Sequence, residues 1–343
     1  MNEKKYYNEP IEKDTAYRKE YVKGIEDFLN ERKSATEAFR QDFISPEKYK
    51  KNPEFYREKF VELLGFPLKE KREISLLEKT FVVQDGNVNI YRMQFLFLGQ
   101  LKFYGMYFEQ LEGKKEKPFV FGFHGGGGTP ELVSSMHLDS SNYNHLVRRM
   151  TDKGANVFAP QFLLWRDDLY GKGLDRVHTD GKLRQLGGCI TALELYFMQG
   201  ILDYFLEQEN INANKIGVAG LSYGGMYALH FAAIDTRIKA CYSCSWVNDL
   251  FVHSWADWSY FNAQKYFTTA ETMALVCPRA LVVAMGDKDE LFDYRLTISE
   301  CEKVKAYYEE MSCEKKFEYY IFDGTHETDK NDVEIEYLLY ALS

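Results

Sequence analysis

The sequence predicts an α/β chain built on a mostly parallel sheet with helices on both faces. Two observations carry this. From Phe119 onward, short apolar runs of strand character alternate with longer runs of helical period, and such alternation implies parallel strands joined by crossover helices. In one of these units the strand Ile216 to Ala219 runs straight into Gly220-Leu221-Ser222-Tyr223-Gly224 and then into a helix starting near Gly225. That is the order of strand, tight turn and helix by which a serine is lifted clear of the backbone.

The elements follow in chain order. Residues 1 to 75 are charged, rich in tyrosine and helical in pattern, with Tyr17, Tyr21, Ile25, Phe28, Leu29 and Arg32 at helical spacing. A second helix, Glu54 to Leu64, sets Tyr56, Phe60, Leu63 and Leu64 on one face and stops at Gly65, its start lying near Ser45-Pro46 and Asn52-Pro53. This segment is expected to be a helical extension packed on a main domain of residues 76 to 343. From Lys79 the period changes: Thr80 to Gln84, Ile90 to Leu98 and Lys102 to Gln110 read as antiparallel strands, broken at Asp85-Gly86-Asn87 and Gly99. Then come strands at Phe119 to Phe123, Asn156 to Ala159, Lys215 to Ala219, Ile238 to Cys244, Ala280 to Met285 and Phe317 to Phe322. Helices are expected at Asn142 to Lys153, Gly188 to Glu207, Gly225 to Ala233, Tyr294 to Met311 and Asp332 to Leu342.

Composition narrows the function. At 343 residues, 45% hydrophobic and 28% charged, the chain is of globular type. It contains no run of about 18 apolar residues that would span a membrane. Its opening, MNEKKYYNEPIEKD, has no apolar segment of secretory type, so a cytoplasmic location is expected. A net charge of −9 argues against nucleic acid as a partner. Six cysteines in a chain this long point to free thiols, and Cys241-x-x-Cys244 lies inside an apolar strand, where core packing is expected rather than a redox or zinc site. Oligomeric state is not legible.

Two stretches break the alternation. Gln161 to Lys182 carries Trp165, and Ser245 to Val276, read as an insert after the sixth strand, carries Trp246, Trp255 and Trp258. Ligands of open α/β sheets bind beyond strand carboxyl ends, so these four tryptophans are candidate pocket walls, although most aromatics there are expected simply to pack a small subdomain.

Three further segments sit at strand ends beside the elbow. His124 is followed by four glycines, 125 to 128, whose amides can face a ligand; with the amide of Tyr223, one of them, near Gly126 or Gly127, can complete an oxyanion hole. Phosphate-loop and dinucleotide glycine patterns both fail here. The loop Gly286-Asp287-Lys288-Asp289 supplies a carboxylate able to orient an imidazole; Asp287 and Asp289 both qualify, and Asp289 is favoured by the room its spacing leaves for the loop to turn back. Of seven histidines, only His326 lies downstream of that loop on a turn after a strand, while His230 reads as structural and His124 as an orienter of the glycine loop.

In these segments the chain resembles the α/β-hydrolase superfamily, and within it the dienelactone-hydrolase-like and acetyl-xylan-esterase-like branch of serine esterases. The likeness covers roughly residues 79 to 342 and rests on His124 to Gly128, Gly220 to Gly225, Pro278-Arg279 with Gly286 to Asp289, and Gly324-Thr325-His326. It implies Ser222 as nucleophile, His326 as base, Asp289 as acid, and amides of Tyr223 and a residue near Gly126 as oxyanion hole. It implies no metal or organic cofactor, and a small acyl ester, such as an acetylated carbohydrate, as substrate. Serine stands where true dienelactone hydrolases have cysteine. The rival readings are a peptidase of the prolyl-oligopeptidase type and a catalytically silent binding protein.

Overall fold

The computed structural model of the chain describes residues 6–137, 141–164, 175–209 and 211–343. Among them, nine strands form one sheet: β1 (Ile74–Asp85), β2 (Val88–Phe97), β3 (Leu101–Gln110), β4 (Phe119–Phe123), β5 (Asn156–Pro160), β6 (Ile216–Leu221), β7 (Ala240–Cys244), β8 (Ala280–Gly286) and β9 (Phe317–Phe322). The order across the sheet is β1-β2-β3-β5-β4-β6-β7-β8-β9. The first three strands are an antiparallel meander, β3 pairs antiparallel with β5, and the strands from β5 to β9 pair in parallel.

Burial follows from that order. Every residue of β4, β5, β6, β7 and β8 is buried, because helices cover the sheet on both sides, whereas β1 at one edge is almost wholly exposed. The core accordingly splits into two clusters. One face packs Leu195, Met198 and Ile201 of the helix Ile190–Gln208 with Leu229 and Phe231 of the helix Tyr223–Ile234. The other packs Leu146 and Met150 with Ile335 and Leu338. The outer helix here begins at Leu146 rather than at Asn142, since His145 before it adopts φ 60°. All six cysteines are free, and Cys241 and Cys244 are buried in β7.

The N-terminal segment forms three helices. α1 (Ile11–Phe43) is followed by α2 (Pro46–Lys51) and α3 (Pro53–Leu64), each of the latter begun by a side-chain cap and a proline: Ser45 accepts from the amide of Lys48, and Asn52 from that of Phe55. α3 stops at Gly65, at φ 85°. α2 and α3 dock firmly: Tyr49 donates to the carbonyl of Cys277 at 2.8 Å, Arg57 to that of Leu275 at 3.1 Å, and Tyr56 and Phe60 are buried.

α1 departs from expectation. Its stripe from Tyr17 to Leu29 stands exposed; among the described residues the ion pairs and ring contacts of α1 with the main domain begin at Lys33, which pairs with Asp249 at 2.9 Å, and continue through Arg40 and Phe43. A helix of 33 residues is about 50 Å long and overruns the surface beneath it. The aromatic insert leaves from β7, one strand later than the sequence count implied. Among the described residues no helix is long and apolar enough to cross a membrane.

Candidate active site

The turn after β6 is tightly constrained. Ser222 sits at φ 59°, ψ −123°, a conformation that L-residues rarely adopt and that costs on the order of 1–3 kcal/mol. Its surroundings require glycine: a Cβ on Gly220 would lie 2.3 Å from the carbonyl oxygen of Gly224, and one on Gly224 would lie 2.4 Å from that of Phe123. The Ser222 amide donates to the carbonyl of Cys244 at the end of β7 (2.8 Å), which fixes the turn to the neighbouring strand.

The glycine loop after β4 lies against this turn. A Cβ on Gly125 would come within 3.1 Å of Ser222 Cβ, and one on Gly126 would touch the ring of Tyr223 at 3.5 Å. The loop is held by His124, whose Nδ1 bonds the carbonyl of Gly125 (2.8 Å) and whose Nε2 accepts from the amide of Phe162 (3.0 Å). Burial pushes the pKa of His124 down to about 4, so the ring is neutral, as this pattern of one donor and one acceptor requires. His230 is likewise buried, held down at about 4 by desolvation, and bonds Met226 within its own helix.

The loop amides divide. Gly125 donates to Tyr143 Oη (2.8 Å), Gly127 to the carbonyl of Leu164 (2.6 Å) and Gly128 to that of Gly125 (3.1 Å). Gly127 is therefore not an available oxyanion donor, contrary to expectation: its amide ties the loop to the segment after β5, while that of Gly128 closes the loop on itself. Among the hydrogen bonds of the described residues, the amides of Gly126 and Tyr223 have no partner, and the latter stands at the positive end of the helix Tyr223–Ile234.

On the far strands, His326 Nδ1 lies 2.8 Å from Asp289 Oδ2, and the Asp289 side chain is wholly inaccessible. Asp289 also accepts from the amides of Leu291 (2.9 Å) and Phe292 (3.0 Å). Burial pushes this carboxyl up, but the bond and charge of His326 and the two amides outweigh it and hold the group below the usual carboxylate range. Asp287, by contrast, is exposed and turned to the amide of Gly324. Cys244 spans the gap to the elbow: its carbonyl holds the Ser222 amide, and its Sγ lies 3.3 Å from the carbonyl of Glu327, next to His326. Ser222 and His326 are exposed by only 8% and 9%.

Aromatic rings join these parts. From Tyr223 the contacts run to Trp258 (5.3 Å between centroids), to Phe292 (5.6 Å) and to His326 (5.6 Å). Trp255 lies 4.3 Å from Trp258 and is 43% exposed, the open side of the wall. Trp246 and Trp258 do not reach the surface: they are exposed by only 1% and 3%, Trp246 packing beneath Trp258 and against His230, so of the tryptophans among the described residues only Trp255 opens to solvent. Trp165 lies outside the described residues.

One cluster has no counterpart in the sequence reading. Arg176 is buried and bonds Asp257 (2.7 Å), Glu194 (3.0 Å) and Tyr227 (2.6 Å), while Tyr223 Oη donates to Asp257 at 3.1 Å. Glu194 also takes the amide of Leu163 and the hydroxyl of Tyr227. Burial alone would push the Arg176 pKa down, but Tyr227, Glu194 and Asp257 hold it well above its usual value. The available signal was Glu194 itself, a lone charge in the apolar run Ile190 to Leu202, which cannot be buried without a cation.

No protein-family model matches the chain. Among curated proteins it is similar to YtaP of Bacillus subtilis (strain 168), provisionally named a hydrolase, at 26% identity over 68% of this chain and 81% of that protein. Among solved structures it is similar to a Bacteroides fragilis protein provisionally named an acetyl xylan esterase, with TM-score 0.69, 14% identity, and 86% and 84% of the two chains covered. It is also similar to a glucuronoyl esterase from Solibacter usitatus, with TM-score 0.64, 14% identity, and 83% and 91% covered. The chain has the α/β-hydrolase fold.

Proposed function

We propose that this chain is a serine hydrolase that cleaves carboxylic esters through an acyl-enzyme, with a small acyl ester of a carbohydrate, acetyl above all, as substrate class. The observation that carries the reading is the strained Ser222 beside the amides of Gly126 and Tyr223, which have no partner among the described residues, since a protein without nucleophilic chemistry has no use for such a turn. Ser222 Oγ attacks the ester carbonyl while His326 Nε2 takes its proton, and Asp289 holds the opposite ring nitrogen. The carbonyl electrons move to the oxyanion, which the amides of Tyr223 and Gly126 receive; losing one such donor typically costs about 3 kcal/mol of barrier. Collapse breaks the bond to the alcohol, which leaves with the proton from His326. Water, deprotonated by the same nitrogen, then releases the acid and frees Ser222.

The carbohydrate part of the proposal draws on the two esterases of like fold and on the exposed Trp255, a flat surface suited to a sugar ring. A fluorophosphonate should label the folded protein at Ser222, read by peptide mass spectrometry, and acetyl esters and acetylated oligosaccharides should turn over faster than octanoyl esters. No adduct on Ser222 removes the hydrolase reading. Cleavage of aminoacyl amides in preference to acetyl esters replaces it with a peptidase.

A further inference from the structure

Residues 16 to 32 of α1 are exposed without a break. Within them Tyr17 (75%), Tyr21 (73%), Val22, Ile25, Phe28 and Leu29 stand in solvent, and at helical pitch they share one arc of about 140°. An isolated helix is marginal in water and draws its stability from packing such a face, so this stripe calls for a cover. The flanking charges describe it. Residues 11 to 32 carry five basic side chains (Lys13, Arg18, Lys19, Lys23, Arg32) and six acidic ones (Glu12, Asp14, Glu20, Glu26, Asp27, Glu31), a balance unsuited to an anionic lipid surface.

The charges inside the apolar arc are complementary to themselves. Asp14 lies nine positions before Lys23 and Arg32 nine positions after it, both near the middle of the arc. Two copies of the helix laid antiparallel about a two-fold axis level with Lys23 bring Asp14 of each opposite Arg32 of the other, Tyr17 against Phe28, and Tyr21 against Ile25. Arg32 makes no salt bridge among the described residues, and Asp14, which bonds Arg18 at 2.9 Å, retains a second oxygen. Six large apolar side chains per copy present an area of the order of the roughly 800 Å² per partner that a stable interface buries. We propose that α1 pairs antiparallel with α1 of a second copy of this chain, so that the protein is a two-fold dimer held outside the hydrolase domain. Self-complementarity of this kind is what an isologous contact demands.

The test uses the full chain in analytical ultracentrifugation and light scattering. Wild type is expected at twice 40.1 kDa, and the variant Ile25→Asp with Phe28→Asp at the monomer mass, with ester turnover and fluorophosphonate labelling unchanged. Asp14→Arg and Arg32→Asp should each weaken dimerisation several-fold and the two together restore it, a result that mere melting of the helix cannot produce. A chain carrying Tyr21→Cys and Ile25→Cys should form a reducible covalent dimer. A wild type that is monomeric at every concentration, a dimer indifferent to the paired aspartates, or a monomer that instead sediments with phosphatidylserine vesicles overturns the proposal.

Discussion

Ser222 and Arg176 stand on two sides of Tyr223 and are held in opposite ways. Around Ser222 the constraint is backbone: a positive φ, glycines pressed against carbonyl oxygens, an amide pinned to the adjacent strand. Around Arg176 it is side-chain charge: one guanidinium shared among two carboxylates and a phenol, drawn from the helices Arg176–Gln185, Ile190–Gln208 and Tyr223–Ile234 and from the aromatic insert. The first arrangement sets where a reacting atom sits, and the second sets what surrounds it. The two should therefore fail differently: substitutions on the backbone side should strike activity, whereas those on the charged side should strike stability first.

The largest effect expected is that of Ser222→Ala. Its hydroxyl makes no hydrogen bond among the described residues, so the fold should hold within about 1 kcal/mol while kcat on an acetyl ester falls roughly 10⁴-fold or more. Matched melting curves with undiminished turnover would show that the strained turn serves something other than nucleophilic attack.

Arg176→Met should invert that pattern. It leaves Glu194 and Asp257 buried without their cation, a loss of roughly 3–5 kcal/mol on the scale known for broken buried pairs. Denaturant titration should show the midpoint drop, and adding Glu194→Gln should recover part of it by removing one orphaned charge. An unchanged midpoint would mean that water reaches the cluster and that the contrast between the two sides is false.

These two sides also differ in how far the sequence disclosed them. Strand ends are legible because a hydrophobic period marks each strand, so Ser222, Asp289 and His326 could be located by counting elements. Distances along the chain hide the charged cluster: Arg176 and Asp257 are 81 residues apart and lie in the two stretches without period. Trp246 and Trp258 were misread because an aromatic in an irregular stretch carries no sign of which way it points, and Gly127 because four consecutive glycines do not say whose amide a neighbouring segment will take. The stripe on α1 was legible as apolar but not as uncovered, since amphipathic period reports a face and not its occupant.

A smaller effect comes from pH. The Asp289 carboxyl is held below its unfolded value, which is about 3.9 for an aspartate, so the folded state binds fewer protons than the unfolded one as pH falls through that range. The stability this contributes is present in full above the unfolded value and is lost as pH drops through the lower folded one. Melting temperatures of wild type and Asp289→Asn measured between pH 6 and pH 3 should converge toward the acid end. A gap that stays constant would assign the effect of the substitution to packing rather than to charge.

The finest test of the comparison is Tyr223→Phe, because Tyr223 belongs to both sides. Its amide faces the position proposed for the oxyanion, its ring lies where a Cβ on Gly126 would meet it, and its hydroxyl reaches Asp257, whose charge joins burial in pushing the phenol pKa up. Removing the hydroxyl leaves Asp257 still bonded to Arg176 at 2.7 Å, so no charge is orphaned and the stability cost should stay near 1 kcal/mol. If the cluster merely fills space, kcat should not move. If it fixes the ring, and through the ring the amide at the head of the helix, kcat should fall about fivefold with KM unchanged, since only an interaction made in the transition state has been loosened. A rise in KM alone would instead place the hydroxyl in substrate binding, and the charged side would then belong to recognition rather than to positioning.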